Sequence, residues 1–139
     1  MASPFYAKSH NQLSARVSGV IFQGALLAVI SNQSAEHYTW GNECDGWHLV
    51  KSESLSVIQE RVPSGCSEAR HFHTKAEQFF FILSGVATME LEGEKFTVNS
   101  NQGIHIPAGS KHQLSNQHES DLVFTVTSTP PSHGDRVEI

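Results

Sequence analysis

At 139 residues the chain has the size of a single domain. A hydrophobic share of 38% and a charged share of 17% belong to a globular protein and exclude a disordered one. The net charge of −5, with no run rich in lysine or arginine, excludes nucleic acid as the main partner, because phosphate binding needs a basic face.

Residues 1–36 differ from the rest and are expected to form an N-terminal arm. "MASPFYAKSHNQLSARVSG" is polar and patternless and reads as an arm or loop. "VIFQGALLAVI", Val20 to Ile30, reads as a strand or a short buried helix; periodicity cannot decide on so short a run. It is too short to cross a bilayer, which takes about 20 apolar residues. As a signal peptide it has too long and polar a leader and no small-residue cleavage site. A soluble, cytoplasmic protein with no membrane partner is expected. Cys44 and Cys66 make no disulfide framework and are expected as reduced thiols.

From residue 37 to residue 139 the signal is β. "GWHLVKS" and "LSVIQERV" read as short strands, and Pro63 to Gly65 as a turn. "EARHFH" alternates, and "QFFFILSG" is an aromatic-rich strand closed by Gly85. "VATMELEGEKFTV" reads as a hairpin about Glu92-Gly93. "NQGIHIPAGSKHQLSN" holds a strand, a Pro-x-Gly turn and another strand, and "DLVFTVTST" is a last strand ended by Pro130-Pro131. Strands about 8 to 12 residues apart, with no helical pattern, predict an all-β antiparallel sandwich or barrel. Tyr38, Trp40 and Trp47 form an aromatic cluster read as lid or core packing, with "FFFIL" as core or dimer interface. The ending "PPSHGDRVEI" reads as an exposed tail or a dimer contact.

Nine histidines are the unusual count, and His71 and His73 are the pair with informative spacing. Two residues apart on a strand, they point to the same face. Neutral imidazole is the commonest protein ligand for transition metals, so the pair forms half a site. A third histidine, His112, follows "PAGSK", whose turn can return the chain toward the pair. His10, His37, His48, His118 and His133 have no partner at ligand spacing and are read as packing or surface residues. Cys66, close to the His71 strand, reads as a small buried thiol.

On these residues the chain resembles the cupin superfamily, specifically a small single-domain cupin. Gly65, five residues, His71-x-His73 and Gly85 match the first cupin motif, G(x)5HxH(x)3–4E(x)6G. Pro107, Gly109, His112 and Asn116 match the second, G(x)5PxGxxHxxxN, whose opening glycine is Asn101 here. The resemblance implies a double-stranded β-helix, or jelly-roll barrel, with a metal held inside by His71, His73, the residue at 77 or 78, and His112. Spacing favours Gln78 over Glu77, because six residues then separate it from Gly85. Adjacent strand residues face opposite sides, so only one of the two can point inward.

Three imidazoles and an amide are neutral ligands and would leave a divalent ion its full charge, making the site electrophilic and attractive to anions. The ligand set suits a divalent transition metal (Fe, Ni, Zn, Mn or Cu) without choosing among them. His105 and Glu77 are the candidate general bases. A metalloenzyme acting on a small organic molecule is expected, with an oxygenase favoured over an isomerase or a decarboxylase. The alternative is a non-enzymatic module that binds or senses a small molecule, its metal structural or absent. A homodimer is expected, since so short a barrel leaves a sheet edge or apolar face to cover.

Overall fold

The computed structural model describes residues 19–22 and 25–139. The arm expected over residues 1–36 therefore lies partly outside the described residues. Its apolar stretch forms two short strands, β1 (Val20–Phe22) and β2 (Ala25–Leu27), paired antiparallel, so the strand alternative holds over the helix. No helix of the described residues is long and apolar enough to cross a membrane.

The remaining strands make two antiparallel sheets. β3 (Glu36–Trp40), β4 (Cys44–Lys51), β5 (Ser56–Val62), β7 (Glu77–Ser84), β10 (Gly103–Ile106) and β12 (Leu122–Thr129) form a six-stranded sheet in the order β10-β7-β12-β5-β4-β3. β6 (His71–Phe72), β8 (Ala87–Leu91), β9 (Glu94–Val98), β11 (His112–Ser115) and β13 (Val137–Glu138) form a five-stranded sheet in the order β13-β6-β11-β8-β9. The chain crosses repeatedly between the sheets, which gives the antiparallel sandwich that the strand spacing predicts and the double-stranded β-helix that the resemblance implies.

Period-2 alternation puts the core between the sheets. Ile58, Phe80, Ile82, Phe124 and Val126 from the larger sheet pack with Met89 and Leu114 from the smaller one. Burying side chains of this kind stabilises by roughly 1.5–3 kcal/mol each. The β8–β9 hairpin turns at Glu92 and Gly93, both at positive φ (50° and 92°), as a two-residue primed turn requires. Asn101, standing where the motif has glycine, holds φ at 66°, a left-handed conformation that asparagine tolerates. Asn116 is buried and structural: its Nδ2 donates to Val62 O and Ser120 O, and its Oδ1 accepts from His118 N.

Candidate metal centre and pocket

The histidines converge because β6 and β11 pair with His71 opposite His112. The Pro107–Gly109 turn is tied to the residue that follows β6, as Gly109 N donates to His73 O at 2.7 Å. Gly109 has φ of 84°, which a side chain rarely adopts, so the turn needs glycine there. All three rings are buried, and their ligand nitrogens lie within 4.8 Å of one another.

Their tautomers follow from their partners. His71 Nδ1 donates to Ala69 O (2.8 Å), His73 Nδ1 to Asp135 O (2.7 Å) and His112 Nδ1 to Ser110 O (2.9 Å). A carbonyl only accepts, so each Nδ1 carries the proton and each Nε2 keeps its lone pair. Carbonyls that hold the far side of an imidazole are the usual support of a metal ligand. Burial lowers the pKa of all three, His71 to about 3, so they stay neutral, the form that binds metal.

Gln78 and Glu77 part as strand parity predicts. Gln78 is 7% exposed and faces inward; its Nε2 donates to Ser128 Oγ at 3.0 Å. That bond fixes the amide and leaves Oε1 buried with no partner, as is His112 Nε2. An unpartnered buried acceptor destabilises by about 1–3 kcal/mol, and a cation held by the three histidines would give His112 Nε2 its partner. The residues present therefore fit a metal.

Glu77 and His105, the candidate bases, lie outside the pocket. They pair with each other at 2.8 Å on the outer face, their side chains 54% and 57% exposed. The cause is again parity: inward Ile106 pairs with inward Gln78, so their neighbours His105 and Glu77 point to solvent. Cys66 points away from the histidines, its thiol donating to Asn42 O at 3.3 Å. Cys44 and Cys66 are both free thiols.

His71, His73 and Gln78 line one side of a pocket of about 650 Å³. Trp40, Ile58, Phe80 and Val126 give it apolar wall, and Glu60, Glu68 and Arg136 give it polar groups that the sequence reading missed. Glu60 sits on β5 at the parity of buried Ser56, Ile58 and Val62, a signal that was available in "LSVIQERV". Its Oε2 accepts from Tyr38 OH at 2.8 Å. Tyr38 reaches it by folding over Gly46, where an added Cβ would lie 2.3 Å from the tyrosine ring. Burial raises the Glu60 carboxyl to about 7, against the lowering effect of the Tyr38 bond, and raises the Tyr38 hydroxyl still further above its ordinary value.

Burial likewise raises Glu68 to about 8, although its Oε2 accepts from Leu114 N at 2.9 Å. The tail is largely exposed, as one reading of the sequence expected, yet it is tied to the barrel. β13 pairs with β6, and Asp135 accepts from Thr74 N (3.0 Å), Lys75 N (2.8 Å), Ala76 N (2.9 Å) and the Thr74 hydroxyl. Those bonds, that of the Thr74 hydroxyl first, hold the Asp135 carboxyl well below the usual range.

Comparison with known proteins agrees with this geometry. Residues 58–128 match the family model described as "Cupin domain". An uncharacterised protein of Methanocaldococcus jannaschii is 33% identical over 89 residues, covering 63% of this chain and 71% of its own. "Probable oxidoreductase virH" of Hypocrea virens is 32% identical over 108 residues, covering 73% of this chain but only 48% of the relative. Among solved structures, KdgF from Halomonas superposes with a TM-score of 0.69 at 17% identity, covering 75% of this chain and 95% of that one, a likeness of fold alone. With both motifs in place, three histidines gathered between two antiparallel sheets and a family model spanning half the chain, the protein belongs to the cupin family.

Proposed function

We propose that the protein is a metal-dependent enzyme acting on a small organic molecule held in this pocket, with His71, His73, Gln78 and His112 as metal ligands. The observation that carries the reading is the pair of unpartnered buried acceptors, Gln78 Oε1 and His112 Nε2, in a site whose other imidazoles are also held neutral. A divalent transition metal would supply Lewis acidity to a bound oxygen atom. Proton transfer, as in an isomerase or a decarboxylase, is the reaction type that the pocket favours over the oxygenase expected from sequence. Glu60 supports this, as an inward carboxyl poised near neutrality and oriented by Tyr38. It would take a proton from the substrate or return one, while the apolar wall limits competing water.

The oxygenase remains as a second reading because a relative at 32% identity carries an oxidoreductase name. Metal analysis of protein purified without chelator comes first. Metal-loaded protein is then incubated in D2O with a panel of small hydroxy and keto acids, with and without air. Deuterium entering substrate carbon without oxygen uptake, lost in Glu60→Gln while the metal stays, is the expected result. Oxygen consumption without exchange would establish the oxygenase. Bound metal with neither activity would leave a binding or sensing module, and no bound metal after reconstitution would overturn the proposal. We also propose a homodimer, with Phe79 and Leu83 (each 43% exposed on the outer face of β7) available for the contact. A monomer by light scattering at micromolar concentration would remove it.

A further inference from the structure

We infer that Arg136 selects the ligand of this pocket, and that the ligand bears a carboxylate. The inference rests on reading the cavity as a ligand site, and it concerns a residue outside both motifs.

Arg136 is the one permanent cation among the described residues lining the pocket. The backbone on either side of it is fixed. Asp135 is pinned by the amides of residues 74–76, and Val137 pairs with Phe72. The tail thus forms a strap that delivers the guanidinium beside His71, with Nη1 donating to His71 Nε2 at 3.3 Å, a contact that a metal on that nitrogen would replace, freeing the fork further.

The described arginines differ in how their forks are filled. Arg70 holds Glu90 through two bonds, at 2.6 and 3.0 Å. Arg61 holds Asp45 at 2.8 Å and reaches Asp121 at 3.2 Å. Arg136 has only single, long contacts: Glu138 Oε2 at 3.2 Å, His71 Nε2 at 3.3 Å and Ala69 O at 3.4 Å, with Glu68 Oε1 at 3.9 Å. Among the described residues, no carboxylate engages it with two bonds. A guanidinium fork matches a carboxylate in two parallel bonds, and in a partly dry pocket such a pair is strong and orienting. The neutral ligand set beside it favours an anion in the same direction. The apolar wall of Ile58, Phe80 and Val126 would receive the rest of a small organic acid.

The test compares acids with their neutral amides. Acetate, lactate, glycerate and benzoate, each against its amide, are titrated into metal-loaded and metal-stripped protein by calorimetry and by ligand-observed NMR. Metal content is measured on the same samples. Wild type is expected to bind at least one acid about tenfold or more tightly than its amide. Arg136→Gln should lose that preference while keeping its metal, and Arg136→Lys should restore only part of it, having the charge without the fork. If Arg136→Gln does not fold, Glu138→Gln serves instead: it frees Nε and should tighten the acid about two- to threefold.

The inference is overturned if wild type prefers none of the acids, if Arg136→Gln keeps the preference, or if Glu138→Gln binds the acid more weakly. An Arg136-dependent preference in protein that never takes up metal would uphold it while the proposed metalloenzyme fails.

Discussion

The two faces of β7 and β10 carry similar residue types with opposite chemistry. Outside, Glu77 and His105 make a 2.8 Å carboxylate–imidazole bond in solvent, an arrangement worth about 0–1 kcal/mol. Inside, Gln78 sits among buried groups whose neighbours are neutral histidines, and farther along the barrel Glu60 is shifted to about 7. A good hydrogen bond between an acid and a histidine is therefore no guide to function by itself. Desolvation is what turns a titratable group into a chemical one, because it changes the energy of the charged form.

The largest expected effect separates the faces by metal binding. His112→Ala should lower metal affinity by more than the roughly 10–100-fold typical of losing a ligand's outer partner. Gln78→Ala should lower it less, and Glu77→Ala should leave it unchanged, all read by metal analysis after dialysis. The ligand assignment fails if Glu77→Ala loses the metal and Gln78→Ala keeps it.

Next is Gly46→Ala, which drives a Cβ into the Tyr38 ring. Overpacking of this kind destabilises by about 1–3 kcal/mol. Denaturant unfolding should show that loss, and equal stability would mean that Tyr38 moves aside freely.

pH separates the inner groups from one another. Burial raises Glu60 from 4.5 to about 7 and Glu68 from 4.5 to about 8, so the folded state binds these protons more tightly than the unfolded chain. Their contribution to stability falls as pH rises from about 4.5 to 8. The histidines act oppositely. His71 is lowered from 6.5 to about 3, so the unfolded chain binds its proton more tightly, and stability falls as pH drops from about 6.5 to 3. Melting temperatures of metal-free protein should thus decline on both sides of a maximum between about pH 4.5 and 6.5. The Glu60→Gln, Glu68→Gln double variant should flatten the alkaline limb up to pH 8. An unchanged limb would show that neither carboxyl titrates there.

The smallest effect belongs to the outer pair. Glu77→Gln and His105→Gln should each change stability by less than about 1 kcal/mol and leave acid binding as in wild type. A larger change in either would mean that the outer face is part of the site.

Much of the site was legible along the chain because its information is local. Strand parity translates the spacing of His71 and His73, and the split between Glu77 and Gln78, directly into direction, while the spacing of the cupin motif picked out Gln78 as the inward member; parity read along β5 would also have turned Glu60 inward with Ile58 and Val62. Arg136 had no such signal. It meets His71 across 65 residues of sequence, through pairing between β13 and β6 that two short strands scarcely announce. Glu68 is likewise defined by its bond to Leu114, on a strand 46 residues away.

The sequence by itself determined the strand periodicity, the turn positions, the spacing of His71 and His73, and that Gln78 and Glu77 face opposite sides. These depend on the two-residue repeat of a strand and on the backbone preferences of glycine, proline and asparagine, while the ligand set came from the resemblance to the cupin motifs. The tertiary structure alone decided which distant groups share a pocket, which of the acids are desolvated there, and that the C-terminal strap brings an under-filled guanidinium to His71. Those properties come from sheet pairing and burial, which sum over the whole barrel and are written in no single stretch of the chain.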